Sequence, residues 1–127
     1  MSSMTRILGG DVQVHHLRRD EQMIEPSLLA KHGRTARTLV KAGAFRLTLM
    51  ALGPHGDLPM HKADGPVSIQ VLAGDVEFTV LGQPYQLAIG ELIVLAAGVE
   101  HAARSIGGCT LLLTVVHTDT DGPSPVE

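Results

Sequence analysis

The stretch Met60–Gly74, MHKADGPVSIQVLAG, sets one histidine ahead of an apolar run that ends at a glycine. Residues two apart on a strand share a face, so Val67, Ile69 and Val71 form one set and Ser68, Gln70 and Leu72 the other. The following run, DVEFTVL, repeats the alternation, with Val76, Phe78 and Val80 set against Glu77 and Thr79. Two half-buried strands separated by turn chemistry at AGD are the expectation for this part of the chain.

Outward from there the same grammar recurs. RTARTLV, AFRLTLMAL, QPYQL, ELIVL, HAARS and CTLLLTVVH are short runs rich in β-branched and aliphatic residues. KAG, GPHGD, KADGP, LGQP, AIG, AAG and IGG punctuate them, which predicts a sandwich or small barrel of antiparallel strands. Helix is expected in two places at most. EPSLLAKHG offers Ser27 as a cap and Gly33 as a left-handed stop, and VHHLRRDEQM has charges around every face. A parallel α/β fold would need crossover helices that this chain lacks.

The 127 residues, 44% of them hydrophobic, make one domain with enough apolar material for a core. A net charge of −3 supplies no basic field for a phosphate backbone or an acidic membrane surface, so neither nucleic acid nor membrane is an expected partner. No stretch reaches the roughly 18 uncharged apolar residues of a membrane span, and the N-terminus lacks a signal-peptide core. A cytoplasmic protein is expected. Cys109, the single cysteine, excludes an internal disulfide and a thiolate zinc cluster, and its place in CTLLLTVV makes it a core thiol.

At this point the chain resembles the cupin superfamily, over about Thr35 to His117. In the second cupin motif Gly90, Gly98 and His101 fall in place without a gap, with Ala96 where proline is usual and Ser105 where asparagine is usual. Counting back from Gly74 through the first motif puts His61 at the first histidine, Ala63 at the second and Val67 at the glutamate. The resemblance implies an all-β, double-stranded β-helix barrel of the jelly-roll type over residues 35–118. A short N-terminal arm over 1–34 would precede it and a flexible C-terminal tail over 119–127 would follow.

In the family the two histidines and the glutamate of the first motif, with the histidine of the second, hold a metal. This chain keeps His61 and His101, whereas Ala63 and Val67 have no lone pair to offer. Two imidazoles are one ligand short of a catalytic zinc or iron site. A rebuilt site for a divalent transition metal (Zn, Fe, Mn or Ni) would draw on His55, Gln70 or His117. Otherwise the two rings line a metal-free pocket whose walls are Val67, Ile69, Val71 and Val94. Two Phe, one Tyr and no Trp leave little to stack on a sugar, so an apolar small molecule with one polar or anionic end suits such a pocket better.

Three functions follow as expectations. The first is a cupin that binds an unidentified small molecule near His61 and His101. The second is an enzyme: either metal-dependent, of the dioxygenase, isomerase or lyase type, or using the two histidines as acid and base, with Glu100 on the opposite side of the strand from His101. The third is a subunit with a filled barrel. Hydrophobic residues on both faces of AFRLTLMAL and CTLLLTVV point to a homodimer. HHLRRDEQ reads as a solvated surface. Arg34, Arg37 and Lys41 read as a charged edge that blocks strand addition, with an anion site as the alternative.

Overall fold

A computed structural model describes residues 11–18 and 26–118. Helix α1 (Pro26–His32) leads into eight strands: β1 (Arg34–Ala42), β2 (Phe45–Leu52), β3 (Asp57–His61), β4 (Val67–Val80), β5 (Gln83–Ala88), β6 (Leu92–Leu95), β7 (His101–Arg104) and β8 (Cys109–Val116). All pairings are antiparallel. The first sheet runs β1-β2-β8-β4-β6 and the second β3-β7-β4-β5. Among the described residues no helix is long and apolar enough to cross a membrane.

Strand β4 belongs to both sheets and corrects one expectation. VSIQVL and DVEFTVL are one strand of 14 residues, bent at AGD rather than reversed there. The bend has two causes. Gly74 adopts φ +73°, a left-handed conformation open to glycine, and a bulge falls between Val71 and Ala73 against β8. The bulge also shifts the alternation by one residue. Odd positions Val67, Ile69 and Val71 and then even positions Val76, Phe78 and Val80 therefore all turn inward, each at most 5% exposed.

β3 is the strand that the sequence pattern hides. Its residues DLPMH contain Pro59 and sit among turn signals, yet they pair with β7 through Asp57↔Arg104, Leu58↔Ala103 and His61↔His101. A proline is tolerated because β3 is the edge of its sheet and its register is irregular between Leu58 and His61. Helix α1 ends as expected: Gly33 takes φ +78° and its N–H donates to Leu29 O at 2.8 Å. The described helix opens at Pro26, so Ser27 stands inside its first turn. Of VHHLRRDEQM, the segment from Arg19 onward lies outside the described residues, as do the first ten residues of the arm and the tail from Asp119.

Two apolar clusters result. Between the sheets lie Leu52, Ile69, Val71, Val76, Phe78, Leu111 and their neighbours. On the outer face of the first sheet, Leu39, Val40 and Leu49 are buried with Leu17 of the arm packed on them. A bulge between Thr38 and Val40 lets two successive side chains, Leu39 and Val40, join that outer cluster. Leu17 thus lays the described part of the arm on that outer face.

A Cβ on Gly74 would run into the carbonyl oxygen of Gly108, backbone that has no rotamer to yield. Gly82, at φ +78°, has open space around it. Gly82→Ala is expected to cost about 1 kcal/mol, the conformational part alone, and Gly74→Ala about 2–3 kcal/mol. Urea midpoints at constant slope measure both.

Candidate functional site

His61 ends β3 and His101 opens β7, and the register places them opposite one another. Opposed residues on paired strands share a face, so the rings meet: their centroids are 4.2 Å apart, with planes tilted 57°. His101 is 1% exposed and His61 partly exposed, so the pair has one buried and one accessible member. The N–H of Gly98 donates to Ala63 O at 2.8 Å and ties the loop before His101 to the segment after His61.

Both imidazoles are set in the same tautomer by the backbone. His61 Nδ1 lies 3.0 Å from Pro59 O, and His101 Nδ1 lies 3.0 Å from Val99 O. A carbonyl only accepts, so each Nδ1 carries the proton and each neutral ring keeps its lone pair on Nε2. Burial pushes the His101 pKa below its ordinary value; the Val99 carbonyl opposes this and the neighbouring His61 charge adds to it. His101 is thereby held neutral, an acceptor through Nε2.

The remaining members of the expected set separate. Ala63 and Val67 are 3% and 4% exposed in the aliphatic interior, which leaves no lone pair at either position. Val67, Ile69 and Val71 point inward as expected, but at 1–4% exposure they pack in the core as filling. Val94 is a correction: it pairs with Ser68 on the outer face and is 64% exposed, because strand β6 sends Ile93 and Leu95 inward instead. Gln70 turns outward opposite Leu92 and Leu112. His55 is exposed on the turn before β3, at φ +60°. His117 is 9% exposed and engaged with Asp64, Nδ1 to Oδ1 at 2.5 Å.

The donor set therefore does not fit the family's metal. Among the described residues no cluster of three or more His, Cys, Asp or Glu side chains could hold an ion. Glu100 is exposed while His101 is buried, as alternation requires, so no carboxylate follows the ring inward. Ser105, at the usual asparagine position, is buried and donates to Asp75 O at 2.7 Å, a tie between β7 and the bend in β4. Burial also pushes the Cys109 thiol up, which keeps it protonated.

Sequence reading missed two features. The buried His117–Asp64 pair spans 53 positions, and no local pattern links its members. Arg46, opposite Lys41 across the β1–β2 hairpin, was hidden by the bulge in β1, which no residue type announces.

The chain matches no family model, and no curated protein is similar to it in sequence. Its likeness is to solved structures. A conserved protein of unknown function from Streptococcus pyogenes is 28% identical, with a TM-score of 0.65 over 71% of this chain and 79% of that one. A cupin-2 domain protein from Shewanella frigidimarina is 18% identical, with a TM-score of 0.67 over 82% and 95%. A cupin 2 conserved barrel domain protein from Leptotrichia buccalis is 30% identical, with a TM-score of 0.62 over 65% of this chain and 40% of that longer one. The chain has the cupin fold, the fold that its two motifs implied.

His101 supplies a pH signature. In the unfolded chain its pKa returns to about 6.5, so below that pH the unfolded state binds the proton that the folded state refuses. Stability is expected to fall as pH drops from 6.5 toward the lowered folded value and to level beneath it. Urea unfolding across that window should show this slope, and His101→Leu should flatten it.

Proposed function

We infer that this cupin binds a small molecule at the His61–His101 pair without a metal. One observation carries the reading: two touching imidazoles, each with Nδ1–H fixed on a backbone carbonyl, present two Nε2 acceptors at one place, one of them reachable from solvent. Such a pair accepts from a hydroxyl or amide. An imidazolium in the same place would donate Nε2–H to a carboxylate.

A second reading, a metal-dependent enzyme, has one observation in its favour. Histidines that ligate metal through Nε2 commonly donate Nδ1–H to a carbonyl, as both do here. It requires a third donor that the described residues do not bring to the pair.

Exposed Phe45, Leu92, Val94 and Val116 continue the outer face of the first sheet, and we assign this surface to a second copy of the chain. Light scattering is expected to give twice the chain mass, and Val94→Asp a single one.

The test of the site uses aliphatic fragments ending in hydroxyl, amide or carboxylate, followed by nitrogen resonances of the imidazoles. Binding should move the Nε2 signals of His61 and His101. His101→Ala should weaken it about tenfold, the loss of one good hydrogen bond. Affinity unchanged from the parent chain in both His61→Ala and His101→Ala would remove the pair from the site.

A further inference from the structure

A cleft of about 310 Å³ lies on the inner face of the first sheet and is formed by β1, β2 and β8. Its lining is of two kinds. Met50, Leu113 and Val115 are apolar, while Thr38, Lys41, Arg46 and Thr48 are polar or cationic. Register accounts for the grouping: Thr38 pairs with Thr48, and Lys41 with Arg46. Leu113 and Val115 follow on β8, opposite Thr48 and Arg46. The cleft thus has two hydroxyls side by side, two cations side by side and an aliphatic floor.

The cation pair is the informative part. Like charges directly opposite each other on neighbouring strands destabilise a sheet. Among the described residues neither Lys41 nor Arg46 has a carboxylate partner, and no acidic side chain lines the cleft. His117, which also lines the cleft, is engaged with Asp64. Arg46 uses one terminal nitrogen, Nη1, on the carbonyls of Gly43 and Phe45, which fixes the guanidinium and leaves its other N–H groups to donate. Protection of an exposed edge accounts for Lys41 on β1 but not for Arg46, which sits on an interior strand and shares the concave face.

The geometry points to a binding site for a small aliphatic carboxylate, its anionic end between Lys41 and Arg46 with the Thr38 and Thr48 hydroxyls beside it, and its chain over Met50, Leu113 and Val115. The anion removes the repulsion between the two cations, and the aliphatic floor distinguishes this ligand from a bare inorganic ion. The site stands apart from the His61–His101 pair, which is on the other sheet, and does not depend on it.

The test titrates the full chain with octanoate, 1-octanol and inorganic phosphate while following the methyl resonances of Met50, Thr38 and Thr48. Octanoate should shift these signals and bind about tenfold or more tighter than either 1-octanol or phosphate. Lys41→Met, a change at an exposed side chain, should weaken octanoate about tenfold. Lys41→Arg should retain it, and His101→Ala should leave it unchanged. Octanoate no tighter than 1-octanol or phosphate, or insensitive to Lys41→Met, would overturn the assignment. So would shifts confined to His61 and His101, a result that would leave the histidine site standing.

Discussion

Bending β4 at Gly74 without ending it is the constraint on which the rest of this structure depends. A strand of 14 residues can serve two sheets only if its inward side chains stay inward past the bend. The bulge between Val71 and Ala73 provides the one-residue shift that makes this possible. From that single device follow the packing of Ile69 and Val71 with Leu111, the entry of Phe78 from the second sheet into the same core, and the placement of β7 beside the far half of β4. β7 then carries His101 into the interior, opposite Val80 on one side and His61 on the other.

The chemistry of the site is decided by what accompanies the two imidazoles. A dication needs negative charge and at least three donors near it. Alanine and valine occupy the two remaining motif positions, buried among aliphatic side chains, and the candidate replacements face elsewhere or are engaged by Asp64. Desolvation holds His101 neutral, while contact with His61 discourages two protons on the pair. A buried neutral imidazole beside a second ring is suited to a ligand that brings hydrogen-bond donors. The cationic cleft on the first sheet complements it with a fixed positive field.

The all-β architecture was legible because apolar alternation, the glycine spacings and the second motif agree on it, and seven of the eight strands fall on the runs that the pattern marks. β3 was not, since Pro59 and the surrounding glycines imitate a loop and only pairing with β7 makes it a strand. The bend in β4 was read as a turn because a bulge leaves no mark of its own beyond AGD. His61 and His101 were legible through motif position. Val94 was misplaced by assuming an inward phase in a strand of four residues that is apolar throughout. Lys41 was noticed and Arg46 was not: their opposition depends on a register that residue types do not encode.

The account rests on His61 and His101 acting as hydrogen-bonding groups rather than as metal ligands. The most direct measurement is the metal content, by inductively coupled plasma mass spectrometry, of tag-free protein purified without chelator, beside His61→Ala prepared in the same way. The account predicts metal far below one ion per chain in both proteins. Near one ion per chain, lost in His61→Ala, would contradict it and put a metal-dependent enzyme in its place.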